Sequence, residues 1–298
     1  MTLPNFLVIG AGRSGTTSLH HYLGQHPEIY LCPEKSPNFF VSHDTLPEWE
    51  GPTVRRMARQ WVRDRQTYEA LFDGVQGERA IGEVSPVYLQ SLGAAPAIKA
   101  VCPDARFVAI LRDPVDRAYA HYLGRRRDGL VSSRDFGEVV AEELSRPLPD
   151  AVAFGSYLGC GRYHHFLSPY YALFPRERIR VYLFDDLLTD AAGLLSDLFA
   201  FLDVDPEFVP GTEKRYAQTG VIENPLLRAF WTGSVGIRTT LRPYLPAAVR
   251  DVGRRVIARR LAKERLEPEL RAELVEVFRD DIGQLQGLIG RDLGHWLA

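Results

Sequence analysis

Gly10, Gly12 and Gly15, with Arg13 among them and Thr16, Thr17 and Ser18 directly after, are residue types that hold a multiply charged anion. The glycines let the chain turn sharply and bring backbone N–H groups close to a ligand. Before them, Phe6 to Ile9 is an unbroken apolar run, the mark of a strand buried on both faces. After them, Leu19, Tyr22 and Leu23 have helical spacing. Such a strand, loop and helix start aim orphan N–H groups and the positive end of a helix dipole at one point. Three hydroxyls add donors, and Arg13 adds a fixed charge. The loop reads as a phosphate site. Its Gly10-x-Gly12-x-x-Gly15 spacing also fits the dinucleotide fingerprint, and it approaches a P-loop, although Thr16 stands where that motif needs lysine.

A second anion ligand is Arg112, placed by Arg106 to Leu111 at the carboxyl end of a buried strand, where α/β sheets bind ligands. Its planar fork suits bidentate contact with phosphate. Asp113 and Pro114 then supply a helix cap and a first-turn proline. Glu83 follows a short strand at Ala80 to Gly82; partly desolvated there, it would have a raised pKa and could accept a proton. His20, His21 and His121 are competing bases that sit in helices, and Lys35 is within reach of the loop. Asp185 and Asp186 read as a helix cap rather than a metal clamp. No metal is expected.

Two segments resemble the sulfotransferases that use 3′-phosphoadenosine 5′-phosphosulfate (PAPS). Gly-Ala-Gly-Arg-Ser-Gly-Thr-Thr-Ser-Leu, from Gly10, resembles their phosphosulfate loop, particularly in tyrosylprotein and many bacterial members. Val108 to Tyr122 resembles their 3′-phosphate motif, in which a serine follows the arginine by eight residues; here that residue is Ala120. Ile-Gly-Glu83-Val-Ser-Pro86-Val-Tyr88-Leu is similar to the segment carrying the catalytic carboxylate of glycosaminoglycan sulfotransferases, with Val84 where a lysine often follows. The resemblance implies that Gly12, Arg13, Ser14, Gly15, Thr16, Thr17 and Ser18 hold the 5′-phosphosulfate and Arg112 the 3′-phosphate. Arg125, Arg126, Lys214 or Arg215 could compensate for Ala120, and Arg215 is taken as a donor ligand. Arg13, where many relatives have lysine, would stabilise the leaving oxygen, and Glu83 would be the general base. The implied reaction is in-line sulfuryl transfer to a hydroxyl or amine of a glycan or small natural product. A kinase-like NTP phosphotransferase, a dinucleotide oxidoreductase (Glu28 or Glu34 on the ribose) and a non-catalytic nucleotide-binding module are the alternatives.

The elements that must position these residues alternate between strand and helix, which gives a parallel sheet covered on both sides. The expected fold is a three-layer, P-loop-like α/β domain with about five parallel strands, spanning residues 1–298 as one unit. Helices are predicted over 53–72 and 96–101, from Pro114 to a close across 125–129, and over 136–145, 162–174, 191–202 and 268–289, with loop from 203 to 225. Residues 41–53 and 128–160 would line the acceptor cleft, with Trp49, Phe154, Tyr157 and Tyr163 as stacking rings. A basic helix over 247–261 carries Arg250, Arg254, Arg255, Arg259 and Arg260 and reads as a solvated face. A net charge of −2 excludes a globally basic nucleic-acid binder. Three cysteines without a C-x-x-C pair fit a reducing cytoplasm, and no apolar run is long enough to span a membrane. The strand beginning so close to Met1 would leave no room for a signal peptide. Only four of the 36 basic residues are lysine, an arginine bias that points to a GC-rich bacterial genome. Oligomeric state is not legible.

Overall fold

The computed structural model describes residues 2–41, 61–128, 130–131, 135–148, 155–212, 221–222, 261–262 and 266–298. Five parallel strands form the central sheet: β1 (Phe6–Gly10), β2 (Ile29–Leu31), β3 (Ala80–Val84), β4 (Arg106–Leu111) and β5 (Ile179–Leu183). Their spatial order is β2-β3-β1-β4-β5, so β1 sits at the centre between β3 and β4. That place explains its sequence: all five of its residues are buried. Leu7 and Ile9, with Phe107, Ala109 and Leu111 of β4, point into one core; Phe6 and Val8, with Val108 and Ile110, point into the other. Period-two alternation in a strand covered on both faces gives the three layers.

The first core is closed by α3 (Ala94–Val101), α4 (Pro114–Arg127), α5 (Phe136–Leu144), α6 (Tyr163–Leu173) and α9 (Pro268–Ile289). The second is closed by α1 (Thr16–Leu23), α7 (Phe184–Thr189) and α8 (Ala191–Phe201). Each fully buried Leu, Ile or Phe contributes roughly 1.5–3 kcal/mol. The parallel sheet and its layers are those expected from the alternation.

Several boundaries differ. The helix expected over 53–72 is present among the described residues only as α2 (Arg65–Ala70), because the Asp64 carboxylate caps its start by accepting from Thr67 N at 2.8 Å. α3 starts two residues before Pro96, which a first turn tolerates. β3 continues through Glu83 to Val84 instead of ending before them. Within the expected 203–225 loop, β6 (Val221–Ile222) pairs antiparallel with β7 (Leu261–Ala262), whose first residue is also the last of the expected basic helix. Residues 42–60, Phe154, Lys214, Arg215 and the arginines from 250 to 260 lie outside the described residues. Asp113 caps α4, accepting from Val115 N and Asp116 N, and Asp186 caps α7, accepting from Leu183 N, as their sequence positions suggest.

One irregular segment is tied down on both sides. The buried Glu143 carboxylate accepts from the backbone N–H groups of Tyr157, Leu158 and Gly159 and from the Ser156 hydroxyl. On the other side, Arg117, His121 and Arg125, one turn apart along α4, bind the carbonyls of Tyr157, Ser156 and Gly155. Residues 155–159 are thus a strap between an acid and a row of donors on α4. The Arg125 expected as a substitute phosphate ligand is committed to this strap, its guanidinium also lying 5.6 Å from the Tyr157 ring centre.

Candidate active site

β1 delivers its loop to the carboxyl edge of the sheet. Ala11 N donates to the Ile110 carbonyl at 2.8 Å, which ties the loop's first residue to β4. Gly15 then adopts φ 97°, a left-handed conformation suited to glycine, and α1 begins. No side chain caps α1. The first-turn N–H groups therefore lack the partner that Asp113 or Asp186 supplies to its own helix, as at an anion-binding helix start. Ser14 beside them is buried.

Arg13 departs from the usual pattern. It holds φ 73°, where a side chain costs roughly 1 kcal/mol or more. A glycine would relieve that strain. The guanidinium packs against Gly124 of α4. Burial, and then the Arg127 charge, lower its pKa to about 10, with Asp128 opposing them and Arg117 and Arg125 adding to them. At pH 7 it remains a cation in a region rich in positive charge.

Arg112 follows β4 at the same edge. The register Leu111↔Leu183 sets it beside Phe184, whose ring centre lies 5.0 Å from the guanidinium. Phe184 also closes over Gly15, where an added Cβ would come within 3.2 Å of the ring. One aromatic ring thus touches both the loop and Arg112. A second link passes through Tyr163: its hydroxyl donates to the Arg112 carbonyl at 2.9 Å and also lies within hydrogen-bonding reach of the Ser14 side chain. The loop and Arg112 share one edge and one neighbourhood. Asp116 lies 3.8 Å from Arg112, but its other oxygen is bound at 2.7 Å by Arg271 of α9. Ala120, one turn further along α4, is buried and offers no hydroxyl.

Glu83 is more enclosed than expected. It has no exposed surface; Tyr68 and Tyr88 donate to Oε1 at 2.7 and 2.8 Å, and Ser85 donates to Oε2 at 2.6 Å. Burial raises its pKa, and these three hydroxyls pull it back. The partly exposed carboxylate predicted at a strand end is instead sealed, because β3 runs two residues further and α2 lays Tyr68 over it. Tyr163 is fully buried and Tyr157 nearly so; both are core residues rather than stacking rings. Sequence reasoning misses Phe184 and Gly124. The one available signal for Phe184 is its place as the first residue after the strand beside β4.

Two histidines are held neutral. Burial, followed by the Lys35 charge, pushes His20 down to about 4, and burial with Arg117, Arg13 and Arg125 pushes His121 well below its usual range. The unfolded chain protonates both near pH 6.5, while in the folded chain His20 does so only near 4 and His121 well below its usual range, so their contribution is lost as pH falls below 6.5. Glu83, Asp113 and Asp281, raised by burial, act in the opposite sense. Urea denaturation between pH 6.5 and 5.5 should therefore show a larger loss of stability in the wild type than in His20→Gln, by ~1 kcal/mol across that unit. Equal slopes would mean that His20 is free to ionise in the folded state.

A glycine-threonine loop leaving the central strand of a parallel sheet, with an arginine at the end of the neighbouring strand, defines a three-layer, P-loop-like α/β protein. The chain belongs to the sulfotransferase family, whose model matches residues 4–208. It is similar to a crystallised sulfotransferase from Alicyclobacillus acidocaldarius, with 32% identity, all of both chains covered and a TM-score of 0.78. Among curated proteins, it is 32% identical over 41% of its length to the membrane-associated sulfotransferase kil1 of Dictyostelium discoideum. It is also 26% identical over 72% of its length to a bifunctional heparan sulfate N-deacetylase/N-sulfotransferase 1 of Caenorhabditis briggsae. The matches span 23% and 24% of those two longer relatives.

Proposed function

We propose that this chain, as one domain over 1–298, transfers the sulfuryl group of PAPS to a hydroxyl or amine of a glycan or small natural product. The observation that carries the reading is the shared contact of Phe184 with Gly15 and Arg112, which sets an uncapped helix start and a cation side by side, as a nucleotide phosphorylated at both ends requires. Loop N–H groups from Gly12 to Thr17, with the Thr16, Thr17 and Ser18 hydroxyls, take the 5′-phosphosulfate, and Arg112 takes the 3′-phosphate. The acceptor oxygen or nitrogen attacks sulfur, and the bond to the bridging oxygen breaks. Adenosine 3′,5′-bisphosphate leaves, with Arg13 stabilising the charge that develops on it. The heparan-modifying relatives support a glycan acceptor. The arginine-rich composition and three buried free thiols support a bacterial cytoplasm.

Adenosine 3′,5′-bisphosphate without added metal should raise the melting temperature, and ATP with magnesium should not. No response to the bisphosphate would overturn the reading; a response to magnesium-ATP alone would favour a kinase-like enzyme. With no hydroxyl at Ala120, Arg112 carries the 3′-phosphate with less help. Arg112→Ala should therefore weaken bisphosphate binding about 10- to 100-fold, the value of a charge-assisted pair of bonds. Calorimetry would measure it, and adenosine 5′-monophosphate, lacking the 3′ group, should bind both forms equally.

Glu83 enters this scheme as the proton's destination, reached through the Tyr68, Tyr88 or Ser85 hydroxyl that covers it. Glu83→Gln should then cut turnover by about 10²-fold or more, the scale of general-base catalysis. A variant that loses only melting temperature, with turnover per folded molecule unchanged, would make Glu83 a structural acid.

A further inference from the structure

Gly124 lies in the last turn of α4, where nothing about helix formation asks for glycine; alanine would favour the helix. Its conformation is helical and its neighbours Leu123 and Ala120 are ordinary buried residues. What distinguishes the position is the opposite wall. A Cβ built on Gly124 would fall 2.6 Å from Cζ of Arg13 and 2.8 Å from its Nη1, and closer still to Nη2. No side chain fits there while the guanidinium is in place.

The seat has the right polarity. The carbonyl end of α4 carries the negative end of the helix dipole, which favours a cation within the last turn. Asp128, just past that end, is the acid that acts on Arg13, against the positive charges of Arg127, Arg117 and Arg125. From the other side, residue 13 holds a left-handed backbone, φ 73°. The guanidinium is therefore fixed at both ends, by an unusual backbone conformation at its root and by a missing side chain at its tip.

We propose that Gly124 is a positioning residue for sulfuryl transfer: its bare backbone is the flat seat that lets an arginine, bulkier than an amine, serve at position 13. This rests on the sulfotransferase reading and adds to it a residue outside the phosphate loop. The two positions act as one unit. A side chain at 124 evicts the guanidinium while leaving the loop N–H groups and Arg112 intact, so donor binding survives and turnover does not.

The test is a cycle of Gly124→Ala in the wild type and in the Arg13→Ala and Arg13→Lys backgrounds. Two quantities are read: melting temperature, and conversion of PAPS to adenosine 3′,5′-bisphosphate with water as acceptor, in which a water oxygen bonds to sulfur, the bridging S–O bond breaks and a proton is released. In the wild type, Gly124→Ala should lower kcat about tenfold or more, with KM for PAPS moving less than about threefold. In Arg13→Ala it should have no further effect on kcat. In Arg13→Lys, whose single amine needs no flat seat, it should cost less than about threefold. Melting temperature should rise by about 2–4 °C when Gly124→Ala is added to Arg13→Ala, as helix propensity dictates, and not in the wild type. A Gly124→Ala protein that fails to fold while the Arg13→Ala, Gly124→Ala double variant folds also supports the clash. Equal gains in melting temperature in both backgrounds, with kcat unchanged, would overturn the proposal. If no form converts PAPS or binds the bisphosphate, the sulfotransferase reading fails, and the melting-temperature cycle alone still decides whether Gly124 seats Arg13.

Discussion

Arg13→Ala is expected to lower kcat for sulfuryl transfer by about 10²–10³-fold, the range seen when one preorganised donor to a developing oxyanion is removed. The side chain is costly to keep where it is. It occupies a left-handed backbone position and is desolvated among like charges, enough to bring its pKa to about 10. Such a cation gains most when negative charge appears beside it, which in this reaction happens as the bond to the bridging oxygen lengthens. Ground-state binding should suffer less, because the loop N–H groups and Arg112 still hold the nucleotide; a loss below about tenfold in bisphosphate affinity is expected. Arg13→Lys should recover part of kcat by restoring the charge. Arg13→Gly should be as inactive as alanine but more stable, since it removes the backbone strain. Turnover at saturating PAPS, set against calorimetric affinity, separates the cases. An unchanged kcat with a large loss of affinity would reduce Arg13 to a phosphate grip.

Glu143→Ala should destabilise the fold by about 3–5 kcal/mol, because it strands several buried donors at once. The carboxylate accepts from three backbone N–H groups and the Ser156 hydroxyl, all buried, and those groups have no water to turn to. In a chain of this size the loss amounts to roughly 10 °C in melting temperature. Glu143→Gln, which keeps the carbonyl oxygen, should lose less. The effect should also reach catalysis, since the strap that Glu143 secures is what Arg117, His121 and Arg125 brace α4 against. A melting temperature within about 2 °C of wild type would show that water or a shifted backbone satisfies the strap.

Much of the frame was legible because it obeys local rules. The apolar run before Gly10, the Asp113-Pro114 start of α4 and the Pro268–Ile289 span of α9 are signals carried by neighbouring residues. What stayed hidden depends on residues far apart in sequence. Tyr68 covers Glu83 from fifteen positions upstream, and no periodicity announces that. Phe184 acquires its place only through the β4–β5 register, and Gly124 only through an arginine more than a hundred residues earlier. Arg125 looked like a free cation because the carbonyl it binds belongs to an irregular segment with no pattern to read. Two-residue strands such as β6 and β7 are shorter than any periodicity test can detect.

The bare N-terminus of α1 has a consequence for order of events. A helix that lacks its own terminating group is unfinished, and the proposed donor would complete it, much as a serine would from within the chain. Donor occupancy should therefore slow amide hydrogen exchange at Thr16, Thr17 and Ser18, and protection should spread down α1 into the core that Leu19, Tyr22 and Leu23 help build. Loading the donor is then a local folding step.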